Sequence, residues 1–178
     1  IFQSLNPLYI LLFAPLFAML WPKLEKMGIN PSIPRKFALG LIQVALGFLV
    51  LVWAISNMQN AAGLVPWIFL AFCYLLHTTG ELCLSPIGLS MVTKLAAEKE
   101  TGMAMGGWFL SVAMAQYVAG LISRIASGGS EGAHGVMVAA DINQYSDTYM
   151  LLFWVGLGFG VVYLVFAPVI NKLMHGIK

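Results

Sequence analysis

Apolar residues run almost unbroken along five stretches of the chain, with short polar intervals between them. A helix that crosses the hydrocarbon core of a membrane needs about 20 mainly apolar residues. By that measure spans are predicted at about residues 2–21, 37–57, 64–96, 103–125 and 149–173. The third is too long for a straight crossing. A helix from Leu64 to Ala96 would measure about 50 Å at 1.5 Å per residue, against a hydrocarbon core of about 30 Å. It must tilt, bend or project from the membrane. Pro86 offers a place to bend, since it cannot donate to the carbonyl of Leu82, and Gly80 and Gly88 flank that point.

The polar intervals orient the spans. Lys23, Lys26, Arg35 and Lys36 follow the first, Lys94 and Lys99 follow the third, and Lys172 and Lys178 follow the fifth. In a chain that alternates sides, these three regions share one face, and only Arg124 of the nine Lys and Arg residues is opposite. Basic loops stay in the cytoplasm. The C-terminus is therefore expected inside, and the linkers SNMQNAAGL and SGGSEGAHGVMVAADINQYSD outside. The second of these is Gly-rich and is expected to be partly mobile. Trp21, Trp53, Trp67 and Tyr149 fall near span ends, where amphipathic rings favour the headgroup level. Trp108 lies several residues inside the fourth span and does not fit that belt.

Composition agrees with the pattern. Hydrophobic residues make up 60% of the 178 positions and charged residues 9%, where soluble domains carry about 25% charged. The class is an all-α, multi-pass membrane protein whose first partner is the lipid bilayer. The net charge of +2 carries little weight, and no nucleic-acid partner is expected. Cys73 and Cys83 are about 15 Å apart along one helix, beyond disulfide reach, and read as apolar helix residues. The chain opens on Ile1 inside an apolar run, without Met, and its spans are odd in number. Further protein is expected upstream.

Small residues recur at helical spacing: Gly102 with Gly106; Gly107, Ser111, Ala115 and Ala119; Gly156 with Gly160. Such rows let helix backbones approach closely in lipid, and close packing is the expected use.

The third span also carries chemistry. Glu81 sits near its middle, with His77 one turn before, Ser85 one turn after, and Leu89 beyond Pro86. A charge at the bilayer centre costs about 3 kcal/mol on insertion scales. Such groups face a bundle interior or a water-filled cavity and often handle ions or substrates. The alternative is a protonated carboxyl satisfied within the bundle. Ser85 could serve a ligand or back-bond its own helix. His77 could shuttle protons, or be held structurally by a hydrogen bond. Leu89 could plug a pathway or simply pack. Gln3, Ser4 and Asn6 stand beside Pro7 in the first span, with Pro15 two turns on. Interrupted helices bearing polar groups point to transporter binding sites, and Asn6 brings both a donor and an acceptor. A helix–helix hydrogen bond is the alternative there. Enzyme chemistry lacks its parts. Ser85 and His77 are about 12 Å apart along one helix, His77 and Glu81 have no third zinc ligand, and no nucleotide-binding motif is present. No catalytic residue and no metal site are expected.

The stretches FQSLNPLYILLFAPLFAMLW and GELCLSPIGLSMVTKLA, with the Gly-Gly-Trp of MAMGGWFL, closely resemble the proton-dependent oligopeptide transporter family of the major facilitator superfamily, in its bacterial style. The resemblance covers the whole chain. It implies that the five spans form most of the C-terminal six-helix bundle, as helices eight to twelve, with the N-terminal bundle as partner. It implies proton-coupled import of di- and tripeptides by alternating access in the bacterial inner membrane, with protons as coupling ion and no other cofactor. It implies that Glu81 holds the peptide amino terminus, that Ser85 and Asn6 line the same site, and that Trp108 walls the pocket. Pro86 would be the hinge, and Leu89 would lie near the cytoplasmic closure. One departure is Ala97, where the family usually has proline; only the helix end should feel it. The family's Glu-x-x-Glu-Arg motif and the acidic residue of its seventh helix are not in this chain. Two other readings remain: a membrane scaffold or sensor whose polar groups only pair helices, and a facilitator for another solute such as nitrate or a glucoside.

Overall fold

The computed structural model describes residues 4–60, 64–126 and 142–173. Gln3, Lys178 and most of the Gly-rich linker lie outside the described residues. Within them the protein is helical: α1 (Leu5–Lys26), α2 (Ile33–Asn57), α3 (Trp67–Leu95), α4 (Thr101–Ala126) and α5 (Ile142–Leu173). All five are long and apolar enough to cross a membrane.

The helices outrun the apolar runs at several ends. α1 continues five residues past Trp21, and α5 begins seven residues before Tyr149. Hydropathy marks where lipid ends, whereas a helix ends where its hydrogen bonds are capped. At α1 the cap is Gly28, at φ +72°. Its N–H donates to Glu25 and that of Ile29 to Leu24, at 3.0 and 3.1 Å. This is the Schellman arrangement, which asks for a left-handed residue just past the helix. Four residues after Gly28, Ser32 turns the chain to extended geometry, and Pro34 opens α2 with a φ already suited to a first turn. α3 is one helix with Pro86 inside it. Proline does not interrupt it, only deprives it of a donor. Beyond its end, the carbonyl of Ala97 accepts from the N–H of Glu100 at 2.8 Å and the hydroxyl of Thr101 at 3.1 Å.

The chain divides into two compact units. The first holds α1, α2, α3 as far as Ser85, and α5 from Tyr149. The second holds α3 from Pro86, α4, and the start of α5 up to Thr148.

In the first unit α2 is the centre. Its buried small residues step by seven in two rows, Ala38–Ala45–Val52 and Gly40–Gly47–Ala54. A seven-residue step keeps one face turned to a neighbouring helix. The first row serves α5: a Cβ added at Gly156 would lie 3.1 Å from Ala45 Cβ, and one at Gly160 3.4 Å from the Ala38 carbonyl. The second row serves α3. A Cβ at Gly80 would stand 2.8 Å from the Gly40 carbonyl oxygen, so the two backbones touch where neither residue has a side chain. Phe37 and Phe48 stack on Tyr163 and Tyr149, with centroids 6.3 and 6.0 Å apart. Lys36, which the charge pattern places in a loop, sits instead in the first turn of α2. It is 7% exposed, with its ammonium 4.4 Å from the centroid of the Trp21 ring.

The small residues of the second unit behave differently. A Cβ on Gly102, Gly106 or Gly107 would meet nothing within 4 Å among the described residues. Close packing, expected for both helices, holds for Gly156 and Gly160 on α5; Gly102, Gly106 and Gly107 on α4 have no such neighbour among the described residues. Cys73 and Cys83 are both free and buried.

Candidate functional site

α3 presents different chemistry on its different sides. The side toward α2 carries Cys73, His77, Gly80 and Leu84. There the His77 Nε2–H donates to the Val44 carbonyl at 3.1 Å, the ring meets Phe48 edge-on at 4.6 Å, and Gly47 leaves room for it. His77 is thus held by packing and a backbone hydrogen bond, the structural option of the two open for it. Next to it, Gln43 Nε2 donates to Thr79 Oγ1 at 2.6 Å, and that hydroxyl donates into the backbone of its own helix.

The polar flank is the row Thr78, Glu81 and Ser85. Positions i, i+3 and i+7 share one face of a helix. Glu81 and Ser85 are exposed, while Thr78 is 1% exposed. Among the described residues, no cation pairs with Glu81. Asn6, half-buried on α1, comes to this row from the opposite side of the sequence: Thr78 Oγ1 donates to its Oδ1 at 3.0 Å. The structure therefore links Asn6 to the helix face that bears Glu81 and Ser85. The link runs through Thr78, a residue that the four-residue stepping from His77 passes over. A threonine three positions before a buried-span glutamate was the available signal.

Trp108, Pro86 and Leu89 belong to the second unit. Trp108 is half-buried on α4, its carbonyl accepting from Ser111 Oγ at 2.7 Å. Pro86 is exposed and Leu89 is 38% exposed.

A cavity of about 680 Å³ opens between α1, α2 and α3, lined by Tyr9, Trp53, Phe69, Phe72 and Leu75 among others. Its walls are almost wholly apolar, and none of Asn6, Thr78, Glu81 or Ser85 lines it. It suits hydrocarbon rather than a charged ligand. Among the described residues no three His, Cys, Asp or Glu side chains converge as metal ligands do.

The chain is similar to known proteins. The family model described as "PTR2: POT family" matches residues 1–137. The "Uncharacterized transporter YclF" of Bacillus subtilis (strain 168) is 39% identical over 180 residues, covering 99% of this chain and 32% of its own length. A "Dipeptide and tripeptide permease A" of Edwardsiella piscicida is 35% identical over 98% of this chain and 34% of its own. The crystal structure of a peptide transporter POT in complex with sulfate superposes with a TM-score of 0.79 at 37% identity, covering 96% of this chain and 31% of that one. The chain spans about a third of the length of each.

Proposed function

The chain belongs to the POT family, and on that premise we propose that it serves in a proton-coupled symporter that imports di- and tripeptides by alternating access. Its five helices form helices eight to twelve, most of the C-terminal bundle, and work against an N-terminal bundle in a bacterial plasma membrane. The C-terminus lies in the cytoplasm, the side that the basic intervals mark. No cofactor besides the coupling proton is required.

Glu81 is the observation that carries this reading. A carboxylate in an apolar helix, with no cation paired to it among the described residues, is costly unless a ligand or water meets it. The ammonium of a short peptide is such a ligand. Ser85, one turn further on the same face, and Asn6, tied to that face through Thr78, offer hydrogen bonds around it. Trp108 supplies an aromatic wall for peptide side chains. Pro86 removes one hydrogen bond from α3 and lets it flex, and Leu89 lies on the cytoplasmic side of that point.

The test is Glu81→Gln in the complete gene product, expressed in cells without peptide uptake of their own. A hydrogen bond to a charged group is worth about 1.5–3 kcal/mol. Concentrative uptake of labelled dialanine should fall at least roughly tenfold while membrane insertion is unchanged. Wild-type uptake by the variant would sink the role of Glu81.

A second reading draws on the Asn6–Thr78 bond, since a scaffold whose polar groups only pair helices would use it in the same way. Dialanine should raise the thermal unfolding temperature of a transporter and leave that of a scaffold unchanged.

A further inference from the structure

Where α1 gives way to α2, a polar cavity of about 270 Å³ is lined by Glu25, Asn30, Ser32, Arg35, Lys36 and Asn171 among others. Three of its features lack a partner. The first is the start of α2. Ser32 stands at the N-cap, but its hydroxyl makes no capping bond. The N–H groups of Ile33 and Arg35, which no carbonyl of their own helix can reach, therefore go without an acceptor among the described residues. Such a helix start attracts anions. The second is Lys36. It is 7% exposed, its ammonium lies 4.4 Å from the centroid of the Trp21 ring, and its N–H groups find no acceptor among the described residues. A buried charge in that condition is costly. The third is Asn30, whose Oδ1 is buried and accepts no hydrogen bond.

A second cavity, of about 410 Å³, shares Gly28, Asn30, Pro31 and Arg35 with the first and is walled by Leu39 and Leu164. Leu39 and Leu164 are exposed and belong to the apolar spans of α2 and α5. A polar chamber that continues into an apolar one at the end of a membrane span has the form of an amphiphile. Charge narrows the choice. Arg35 and Lys36 against Glu25 leave one positive charge, and the start of α2 adds to it. A phosphodiester brings one negative charge to match, whereas a zwitterionic head group would leave the surplus uncancelled. Asn30 Oδ1 can only accept, so it calls for a donor, and a head-group hydroxyl supplies one.

We propose that this cavity binds an anionic glycerophospholipid with a hydroxylated head group, of which phosphatidylglycerol is the simplest. The phosphate sits on the α2 N-terminus with Arg35 and Lys36, a glycerol hydroxyl donates to Asn30 Oδ1, and an acyl chain runs along Leu39 and Leu164. Basic pockets between spans on the cytoplasmic side take anionic head groups in this way, and the basic intervals mark this end as that side. The lipid would tie the turn between α1 and α2 to α5. The site stands whichever solute the transporter carries.

The test is native mass spectrometry of the complete gene product, purified in a neutral detergent and titrated with dioleoyl phosphatidylglycerol or dioleoyl phosphatidylethanolamine. Wild type should bind one phosphatidylglycerol about fivefold more tightly than phosphatidylethanolamine, the effect of one charge at a membrane surface. No preference between the two would overturn the proposal, since another part of the complete chain would then fill the cavity. Arg35→Gln should weaken phosphatidylglycerol about fivefold, and Lys99→Gln, which removes a basic residue outside the cavity, less than twofold. Equal losses would mean diffuse attraction to a basic surface and no site. Head-group chemistry needs no variant: wild type should prefer phosphatidylglycerol to phosphatidylmethanol, which has the same charge and no hydroxyl, about fivefold. Asn30→Leu should lose that preference; if it is kept, the contact with Asn30 is wrong. Glycerol 1-phosphate separates a lipid from a free phosphate ester. At millimolar concentration it should leave the bound lipid in place, and displacement as complete as that by phosphatidylglycerol itself would count against a lipid site.

Discussion

Gly80→Ala adds a single methyl group where α3 touches α2, and its effect can be worked through from the contact. The new Cβ would stand 2.8 Å from the Gly40 carbonyl oxygen and 2.9 Å from Val44 Cγ2. Carbon and oxygen in ordinary contact sit about 3.3–3.6 Å apart, so the helices must part by roughly 0.6 Å. Neither contact can be relieved by a flexible chain end, because one partner is backbone and the other a stiff β-branched side chain. The same retreat stretches the hydrogen bonds beside it. Gln43–Thr79, now 2.6 Å, survives near its upper range, whereas His77–Val44, now 3.1 Å, passes out of it. Overpacking costs about 1–3 kcal/mol, and an interhelical hydrogen bond in a membrane protein about 0.6 kcal/mol. Alanine returns up to about 1 kcal/mol through helix propensity. The loss wins, by about 1–2 kcal/mol. The assay is unfolding of the purified complete protein in mixed micelles titrated with denaturing detergent, followed by tryptophan fluorescence. Gly106→Ala is the internal control, because its Cβ meets nothing within 4 Å among the described residues, and it should be neutral or slightly stabilising. Equal stability of the two variants would refute the contact argument.

Other substitutions probe separate features. Gly28→Ala should cost about 1 kcal/mol in the same titration, through backbone strain alone, since φ is +72° and no atom among the described residues lies within 4 Å of the new Cβ; no change would mean that the α1 cap does not need a left-handed residue. Lys36→Met keeps the length of the side chain and removes the charge 4.4 Å from the Trp21 ring centroid. It should cost about 0.5–2 kcal/mol, and Trp21→Leu should cost no more in that background than the packing it removes. A coupling near zero in that double-mutant cycle would mean that the pair only coexists.

The positions of the helices were legible because lipid imposes a crude rule that hydropathy reads directly. Their ends were not, because capping is set by backbone geometry: Gly28 stops α1 two turns after the apolar run gives out at Trp21. The packing of α2 was also hidden. The spacing Gly40–Gly47–Ala54 beside Ala38–Ala45–Val52 is plain once seen. But a row of small residues says only that something can come close, not what does. On α4, a Cβ at Gly102, Gly106 or Gly107 would meet no neighbour within 4 Å among the described residues. Small-residue spacing is a permission, and a partner with a matching gap, as Gly80 has for Gly40, makes it a contact.

The polar site shows the same division between what one helix reveals and what needs two. Glu81 and Ser85 could be read from α3 alone, because a charge in an apolar span has few uses. His77 looked like their partner by stepping in fours, yet α2 claims it through Val44, Gly47 and Phe48. The residue that completes the row is Thr78, one position on, and only the second helix shows why: its hydroxyl ends on Asn6, 72 positions earlier in the chain. The contact between Gly80 and Gly40 explains how such a row can be kept in place. Gly80 directly precedes Glu81, and its close backbone contact with Gly40 holds α3 against α2 at that point. Any displacement of Glu81 from α2 must first break that contact.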